Sequence, residues 1–446
     1  MQYFARSIDS DLARWQTSAH RKPILLRGAR QVGKTATVRE LGKRFRNLVE
    51  INFLENQQIH EVFKQGDFDP SRIVDMLSAI TSSTITDGDS LLFLDEVQAC
   101  PQVIESLRFF YEKRPNLHVI AAGSLLEFAL RKIPSFGVGR VDSLFMRPCT
   151  IHEFFIALGH HQLTEAIANA SAKAPLPEPL HQMALNLLKT YAMIGGLPEV
   201  VGRYVETQNT SESLQVVRSI KTGYEDDFSK YSGAVPTNRL RDTLRAIAQQ
   251  AGNKFVLSRA YVDAVSTQVH NALSLLELAG LANRVTHTSG NGIPLGAEQN
   301  SAKFKVIPHD IGLFQCLLGL TAQELVSEAL SGFVHRGAVA EVIAGAELLG
   351  RFSSHERGEL WYWHREAKSS SAEVDYLISK GSTVIPIEVK ANRKGAMKSL
   401  QIFSKEKGSQ LCIRISAENF GSFQNTLVVP LYAVGELDRI IAAHNS

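Results

Sequence analysis

Cysteine is scarce in this chain and shows no clustering. The four cysteines lie far apart, with no C-x-x-C spacing, at Cys100, Cys149, Cys316 and Cys412. This spacing excludes a zinc site built from cysteine pairs and a C-x-x-C redox centre. Isolated cysteines of this kind are typical of reduced core residues in a cytoplasmic protein.

A long hydrophobic run is also missing. The most apolar stretch, Val119–Leu130, is interrupted by Glu127 and is too short to span a bilayer. Residues 1–9 lack the apolar core of a signal peptide. The sequence therefore predicts a cytoplasmic protein that makes no membrane contact.

Neither sign of charge dominates. There are 48 Lys and Arg against 45 Asp and Glu, and hydrophobic residues make up 44% of the chain. This composition excludes disordered, collagenous and coiled-coil classes, and it neither requires nor excludes a nucleic-acid partner. The length of 446 residues predicts about three domains.

The first 150 or so residues alternate short apolar segments with helical patterns. Near-continuous apolar runs predict buried parallel strands. The predicted strands are residues 23–27, 48–53, 91–94 and 117–121, and helices are expected over residues 34–45 and 103–112. This part of the chain predicts an α/β domain.

Helical patterns dominate from Ile151, with a Pro-Ala connector at residues 172–179. Around residues 239–285 three helices are predicted, with Ser258 and Ser266 as N-caps of the second and third. Segments 281–285 and 303–307 flank a Gly/Ser/Asn turn and predict a β-hairpin. Three helices followed by a hairpin give the outline of a winged helix.

The last 120 or so residues predict a third α/β unit. The expected order is a helix, three strands, a second helix and a final strand, over residues 337–349, 360–364, 372–378, 383–391, from about 398, and 410–415.

A phosphate-binding motif follows the first strand. Its eight residues satisfy G-x-x-x-x-G-K-[ST] without a mismatch: Gly28, Ala29, Arg30, Gln31, Val32, Gly33, Lys34 and Thr35. The glycines let backbone N–H groups surround phosphates, and the helix that follows adds positive potential at its N-terminus. Lys34 is expected to reach the β- and γ-phosphates and Thr35 to ligate Mg²⁺.

Two acids end the strand at residues 91–94. Asp95 is expected to hold Mg²⁺, and Glu96 to orient or deprotonate the attacking water. Nucleotide binding, with ATP and Mg²⁺, is the strongest inference that the sequence supports.

Two further residues are candidates at this site. Ser124 follows the strand at residues 117–121 and either contacts the water or γ-phosphate, or makes a local turn. Arg140 is a candidate arginine finger, with Arg147 as its rival. Spacing does not separate these alternatives.

The motifs together resemble a bacterial and archaeal ATPase family of the AAA+ superfamily whose C-terminal half is catalogued as a domain of unknown function. Nearly the whole chain is covered by the resemblance. It rests on the motifs at residues 28–35, 94–98, 101, 122–124, 139–140, 194–199, 310–313, 373–376 and 386–390. One departure is that Pro308 and His309 precede Asp310, where the family usually has an apolar or aromatic residue, and we expect it to alter local packing only.

The resemblance implies four domains. They are an AAA+ P-loop core at residues 1–150, a helical lid and connector at 151–235, a winged helix at 236–320, and a domain similar to PD-(D/E)XK nucleases at 321–446. Most AAA+ arginine fingers act across a subunit boundary, so the resemblance also implies a homo-oligomer.

An acidic cluster is predicted in the last unit. Glu388 and Lys390 are two apart on one strand and share a face. A hairpin loop at residues 380–381 puts Asp375 opposite Pro386, and a loop at 381–382 puts it opposite Glu388. In either register Asp375 and Glu388 are expected to bind Mg²⁺ with Lys390 beside them.

Two helices add to this cluster. Glu341, on the preceding helix, is expected to complete the metal shell, and Gln401, on the following helix, to touch substrate or water. The arrangement could hydrolyse phosphodiesters, or it could survive in an inactive nuclease-like binding domain.

The third predicted helix of the winged-helix outline is a weak DNA reader, because residues 267–273 contain no Lys or Arg. A basic rim could compensate, from Lys254, Arg259, Arg284, Lys303 and Lys305. The alternative is an interdomain spacer or a protein-docking surface.

The leading functional prediction is an ATP-hydrolysing AAA+ protein that couples nucleotide state to DNA or RNA through the winged helix and the nuclease-like domain. A nucleotide-gated regulatory or scaffold protein that cuts nothing is the second hypothesis. The third is a transcription factor with an appended ATPase.

Overall fold

The computed structural model describes residues 3–64, 68–131, 133, 137–231, 233, 235–320, 337–365, 372–390 and 397–445. Contact density divides the chain into two compact units. The first unit comprises Met1–Arg147, Leu278–Gly280 and Ser353–Arg357, and the second comprises Pro148–Glu277, Leu281–Phe352 and Gly358–Ser446. The four-domain division drawn from the sequence stays a prediction.

A five-stranded sheet, parallel throughout, forms the centre of the first unit, in the order β2-β3-β4-β1-β5. Its strands are β1 (Ile24–Arg27), β2 (Asn47–Asn52), β3 (Ser90–Asp95), β4 (His118–Ala122) and β5 (Asp142–Phe145). The first four were predicted and are confirmed. β5 was missed because only Leu144 of its residues is buried, so the strand has no continuous apolar run.

Helices cover both faces of this sheet. They are α1 (Ile8–Thr17), α2 (Lys34–Gly42), α3 (His60–Lys64), α4 (Pro70–Thr81), α5 (Gln102–Lys113) and α6 (Leu126–Leu130). Alternation along β3 sends Leu92 and Leu94 into one apolar cluster and Leu91 and Phe93 into another. This α/β fold is the one predicted for the start of the chain, and it places the ends of β1 and β3 at the phosphate loop and the paired acids.

The second unit begins with helices. They are α7 (Ile151–Ala157), α8 (His161–Asn169), α9 (Glu178–Ile194), α10 (Pro198–Thr207), α11 (Thr210–Tyr231), α12 (Thr237–Gln250) and α13 (Ser266–Leu278). Thr150 and Glu153 form a capping box that starts α7, which confirms the predicted start of the helical region.

A mixed sheet of eight strands completes the second unit, in the order β12-β13-β11-β10-β9-β8-β6-β7. Its strands are β6 (Ala282–Thr288), β7 (Gln299–Pro308), β8 (Leu360–His364), β9 (Glu373–Lys380), β10 (Thr383–Val389), β11 (Cys412–Ser416), β12 (Gly421–Phe423) and β13 (Thr426–Pro430). The other helices among the described residues of this unit are α14 (Ile311–Leu317), α15 (Gly337–Gly350), α16 (Lys398–Lys407) and α17 (Leu437–Asn445).

The predicted hairpin and the predicted C-terminal unit share this sheet. β6 and β7 pair antiparallel, as expected, but β6 also pairs in parallel with β8, with Val285 beside Leu360. The hairpin is therefore the edge of the C-terminal sheet. Its position brings β7 side chains next to residues that lie more than 30 positions later in the sequence, such as Glu341 beside Lys305.

Two secondary-structure predictions were wrong. The second of the three helices is a single 3-10 turn, Leu257–Arg259, because Val262 and Val265 are exposed and the segment has no buried stripe. The strand at β11 is not the last, since β12 and β13 follow it. The predicted strand end at Ala391 and the predicted boundary at residue 321 lie outside the described residues.

Within the described ranges, none of the helices combines the length and the apolar character that crossing a bilayer requires.

Candidate functional sites

The phosphate loop joins β1 to α2 and adopts a left-handed backbone at three positions. Gly28, Gln31 and Gly33 have φ values of 144°, 64° and 96°. A Cβ on Gly28 would lie 2.4 Å from the Met146 carbonyl oxygen, so only glycine fits there. Arg6 supports the loop from outside the motif, donating to the carbonyls of Val32 (3.0 Å) and Arg147 (2.7 Å). No motif in the sequence indicated this role of Arg6.

Lys34 is buried at the start of α2. Its Nζ donates to the carbonyl oxygens of Gly28 (2.9 Å) and Ala29 (2.7 Å). Burial lowers the pKa of Lys34 to about 8, although Glu96 and Asp95 oppose the shift. The ammonium is thus partly desolvated and satisfied by two neutral acceptors, an environment in which an anionic ligand would be the better partner.

Thr35 and Asp95 lie side by side. The Thr35 hydroxyl donates to Asp95 Oδ2 at 2.8 Å, and Asp95 Oδ1 accepts from the Glu96 backbone N–H at 2.9 Å. Burial raises the pKa of Asp95 above its ordinary value. A hydroxyl and a carboxylate at this spacing are the pair of oxygen donors expected for Mg²⁺ in a P-loop site.

Glu96 is held by neighbours from two strand ends. It has a φ of 54°, a left-handed conformation that side chains other than glycine rarely adopt. Its Oε2 accepts from Ser124 Oγ at 3.1 Å and from the Gln98 amide. Arg30 Nε donates to the same Ser124 hydroxyl at 3.0 Å. The structure therefore brings Arg30, Glu96 and Ser124 together.

Gln98 is a residue of this network that lies in the motif at residues 94–98 but was assigned no role from the sequence. Its side-chain oxygen lies 2.3 Å from the position that a Cβ on Gly123 would take, so the absence of a side chain at Gly123 makes room for Gln98. The signal available in the sequence was that Gln98 follows the paired acids by two positions, which alone does not specify a role.

The two arginine-finger candidates have other partners. Arg140 is half exposed and pairs with Glu112 on α5. Arg147 donates to the carbonyls of Glu356 (2.9 Å) and Arg357 (2.8 Å), and burial lowers its pKa to about 10. The assignment of the finger to Arg140 stays a prediction.

A carboxylate cluster in the second unit contains the predicted metal ligands. Lys380 pairs with Thr383, so the loop between β9 and β10 is residues 381–382. Continuing that register puts Asp375 opposite Glu388, which is the second of the two predicted alternatives. Asp375 Oδ2 accepts from the Val389 N–H at 2.8 Å, and Glu388 Oε1 pairs with Lys390 at 2.5 Å.

A lysine lies inside this cluster. Lys305 is on β7, and its side chain is 0% exposed. Its Nζ is 2.8 Å from Glu341 Oε1, 2.5 Å from Glu373 Oε1 and 3.6 Å from Asp375 Oδ1. Lys305 had been predicted as part of a basic rim, and that assignment was wrong because the side chain is buried among carboxylates.

Burial is the largest cause of the raised pKa values of Glu341 and Glu388. It raises the pKa of Glu341 to about 8 and that of Glu388 to about 7, with Asp375 adding to both shifts. Burial alone would lower the pKa of Lys305, but Glu341, Asp375 and Glu373 together raise it above its ordinary value.

The carboxylate cluster is arranged around an ammonium. In the part of the chain that the structure describes, no group of three or more His, Cys, Asp or Glu residues is arranged to hold a metal ion. Glu341 and Asp375 face the Lys305 ammonium instead. Gln401, on α16, is exposed. The sequence-based roles of these residues stay predictions.

Two of the five residues of the predicted basic rim are engaged by other side chains of the fold. Besides the burial of Lys305, Arg284 pairs with Glu277 at 2.8 Å and lies over the Phe304 ring. Lys254 and Arg259 remain exposed.

Comparison with protein-family models gives three matches. Residues 20–155 match the model described as AAA domain. Residues 185–324 match a Domain of unknown function (DUF8612), and residues 336–434 match a Domain of unknown function (DUF4143). With the phosphate loop, the paired acids and the parallel sheet in place, the first match decides the class of the first unit. Residues 20–155 form an AAA-type P-loop ATPase domain.

Solved structures are similar to this chain only at low sequence identity. The Walker-type ATPase PABY2304 of Pyrococcus abyssi is 16% identical over 71% of this chain and 96% of its own, with a TM-score of 0.43. The Aeropyrum pernix ORC1 protein, in complex with DNA, is 14% identical over 70% of this chain and 90% of its own, with a TM-score of 0.26.

A STAND protein with a tetratricopeptide repeat sensor, PH0952 from Pyrococcus horikoshii, is 10% identical over 79% of this chain and 47% of its own, with a TM-score of 0.29. No curated protein matches the chain.

Proposed function

We propose that the AAA-type domain hydrolyses ATP, with Lys34 on the β- and γ-phosphates and Glu96 orienting the attacking water. The observation that carries the proposal is the convergence of Lys34, the Thr35–Asp95 pair and the Glu96–Ser124 pair at the carboxyl ends of parallel strands. Thr35 and Asp95 would hold Mg²⁺, which supplies charge neutralisation at the β- and γ-phosphates when bound.

We infer the following roles for the side chains as ATP binds. Lys34 exchanges two neutral carbonyl acceptors for phosphate oxygens, and charge-assisted hydrogen bonds are the stronger kind. Ser124 and Gln98 fix the Glu96 carboxylate in one orientation, which reduces the reorganisation needed to position water.

ATP affinity should depend on pH through Lys34. Its pKa is about 8 without ligand, and phosphate charge raises that pKa in the complex. Below pH 8 the ammonium is charged in both states and affinity is flat. Above pH 8 binding must take up a proton, so Kd should rise with a slope approaching about tenfold per pH unit.

Titration calorimetry between pH 7.5 and 9.5 tests this, since the phosphates are already ionised there. Lys34→Arg keeps its charge throughout this range and should bind with a flat profile. An equal slope in wild type and Lys34→Arg would show that another group titrates.

We further propose that nucleotide state is coupled to DNA or RNA through residues 236–320 as a winged helix and residues 321–446 as a nuclease-like domain. The support is that Glu341, Asp375, Glu388 and Lys390, the four positions of the nuclease pattern, lie in one cluster. Arg140, half exposed, is proposed to act on the nucleotide of a neighbouring copy in a homo-oligomer.

Measuring ATP turnover with and without double-stranded DNA, single-stranded DNA and RNA tests the coupling. We expect at least one of these to change the turnover number, with an effect that falls as salt rises, because phosphate contacts release counterions. Turnover that none of them alters would contradict the coupling while leaving the ATPase proposal intact.

A nucleotide-gated regulatory or scaffold protein is the second candidate. The observation that favours it is the ammonium of Lys305 among the carboxylates of the cluster. A cleavage assay on DNA and RNA in Mg²⁺ or Mn²⁺, with Asp375→Ala and Lys390→Ala as controls, separates the two. Cleavage by wild type that is lost in both variants would exclude the scaffold candidate, and cleavage unchanged in both would be contamination.

A further inference from the structure

The carboxylate cluster of the second unit is assembled around one buried side chain. Lys305 reaches it from β7, Glu341 from α15, and Glu373 and Asp375 from β9. An ammonium has three donors, and this one has three carboxylates within 3.6 Å of its nitrogen. Its position is thus set by three separate elements of the fold.

Four carboxylate oxygens of the cluster have partners, whereas Glu388 Oε2 is buried with no hydrogen-bond partner in the part of the chain that the structure describes. Glu341 Oε1 and Asp375 Oδ1 face Lys305, Asp375 Oδ2 accepts from the Val389 N–H, and Glu388 Oε1 pairs with Lys390. A magnesium ion needs close to six oxygens at about 2.0–2.1 Å in octahedral geometry. An ion that touched Glu341 Oε1 and Asp375 Oδ1 would have a fixed positive charge as its neighbour.

Other groups of the second unit enclose the Lys305 ammonium. The side chain is fully buried, and its Nζ lies 5.4 Å from the centre of the Tyr362 ring. Tyr376 closes the same region, donating its hydroxyl to the Glu341 carbonyl at 2.8 Å. The ammonium is therefore held away from solvent within the cluster.

We propose that Lys305 is a built-in cation that takes the place of a divalent metal and keeps this cluster metal-free. The ion pairs of the cluster then hold β7, α15 and β9 in a fixed arrangement. A domain with such a cluster contributes binding or positioning rather than metal-dependent phosphodiester hydrolysis. The inference concerns the second unit alone and does not rest on the ATPase proposal.

Removing the ammonium should create the metal site. Lys305→Met keeps the length of the side chain and removes its charge, and Lys303→Met makes the same change on the same strand. Mn²⁺ binding by the full chain without nucleotide, followed by electron paramagnetic resonance, is the measurement. Any binding at Thr35 and Asp95 should be the same in both variants.

We expect Lys305→Met to gain one bound Mn²⁺ per chain relative to wild type and Lys303→Met, and to lose it again in Lys305→Met/Asp375→Asn. Wild type that already binds Mn²⁺ in a way that Asp375→Asn abolishes would overturn the proposal. A folded Lys305→Met that gains no Mn²⁺ would overturn it as well. If Lys305→Met does not fold, wild type and Asp375→Asn decide: equal Mn²⁺ binding supports the proposal, and Asp375-dependent binding overturns it.

Discussion

Replacing Glu96 with glutamine should slow ATP turnover by about 10²–10⁴-fold, the usual loss when a catalytic acid or base is removed, while ATP still binds. Glutamine preserves the shape of the side chain and can still accept from Ser124, so the phosphate loop should remain intact. What is lost is the carboxylate that orients or deprotonates water. Single-turnover hydrolysis and titration calorimetry on one preparation separate turnover from binding.

Lys34→Ala should block ATP binding, the step that precedes hydrolysis. The phosphates would lose their main positive partner, so ATP binding itself should disappear. Glu61→Gln is the matched control for Glu96→Gln, because Glu61 is an exposed glutamate that pairs with Lys64. This control should behave like wild type. Undiminished hydrolysis in both Glu96→Gln and Lys34→Ala would refute the assignment of the site.

The nucleotide site was predictable because its residues are close in sequence to elements with clear patterns. Lys34 follows an apolar strand at motif spacing, and Asp95 and Glu96 end another. Parallel strands bring these ends to one edge of the sheet. Gln98 was not predictable, since its place depends on the room left at Gly123 on the neighbouring strand end.

In the carboxylate cluster, the proximity of Asp375, Glu388 and Lys390 was predictable from the sequence, but the presence of Lys305 was not. The i, i+2 spacing of Glu388 and Lys390 and the hairpin before them were sufficient to bring Asp375 beside Glu388. Lys305 lies on a hairpin that the sequence pattern assigns to the predicted winged helix, not to the C-terminal unit. Its place in the cluster depends on the parallel pairing of β6 with β8, a contact distant in sequence that no local pattern encodes.

The motifs at Gly195-Gly196 and Asp310 contact each other in the second unit. Asp310 caps α14, with Oδ1 accepting from the Leu313 N–H at 2.8 Å, and its Oδ2 accepts from the Gly196 N–H at 2.7 Å. A Cβ on Gly195 would lie 2.4 Å from Asp310 Oδ1, so the approach requires glycine. His309, the departure noted in the sequence, is buried against Tyr224 and so affects packing.

Asp310→Ala should therefore destabilise the second unit by about 3–5 kcal/mol, since it leaves two buried N–H groups unpaired, one of which is the donor of the α14 helix cap. Urea unfolding followed by circular dichroism measures this. Asp226→Ala, on the exposed side of α11, should change the free energy of unfolding by less than about 0.5 kcal/mol. A loss for Asp310→Ala no larger than that of the control would show that the cap is dispensable.

The pH dependence of Asp310→Asn tests the same carboxyl group independently. Burial raises the pKa of Asp310 to about 6, although the N–H groups of Leu313 and Gly196 oppose the shift. With a folded pKa above the unfolded one, the proton-linked contribution of this group is complete below about pH 4 and is lost as pH rises through about 6. Asparagine does not titrate, so its deficit relative to wild type should be larger at pH 4.5 than at pH 8. A deficit that grows with pH instead would mean that the donors of the cap outweigh burial and that the charged carboxylate is the stabilising form.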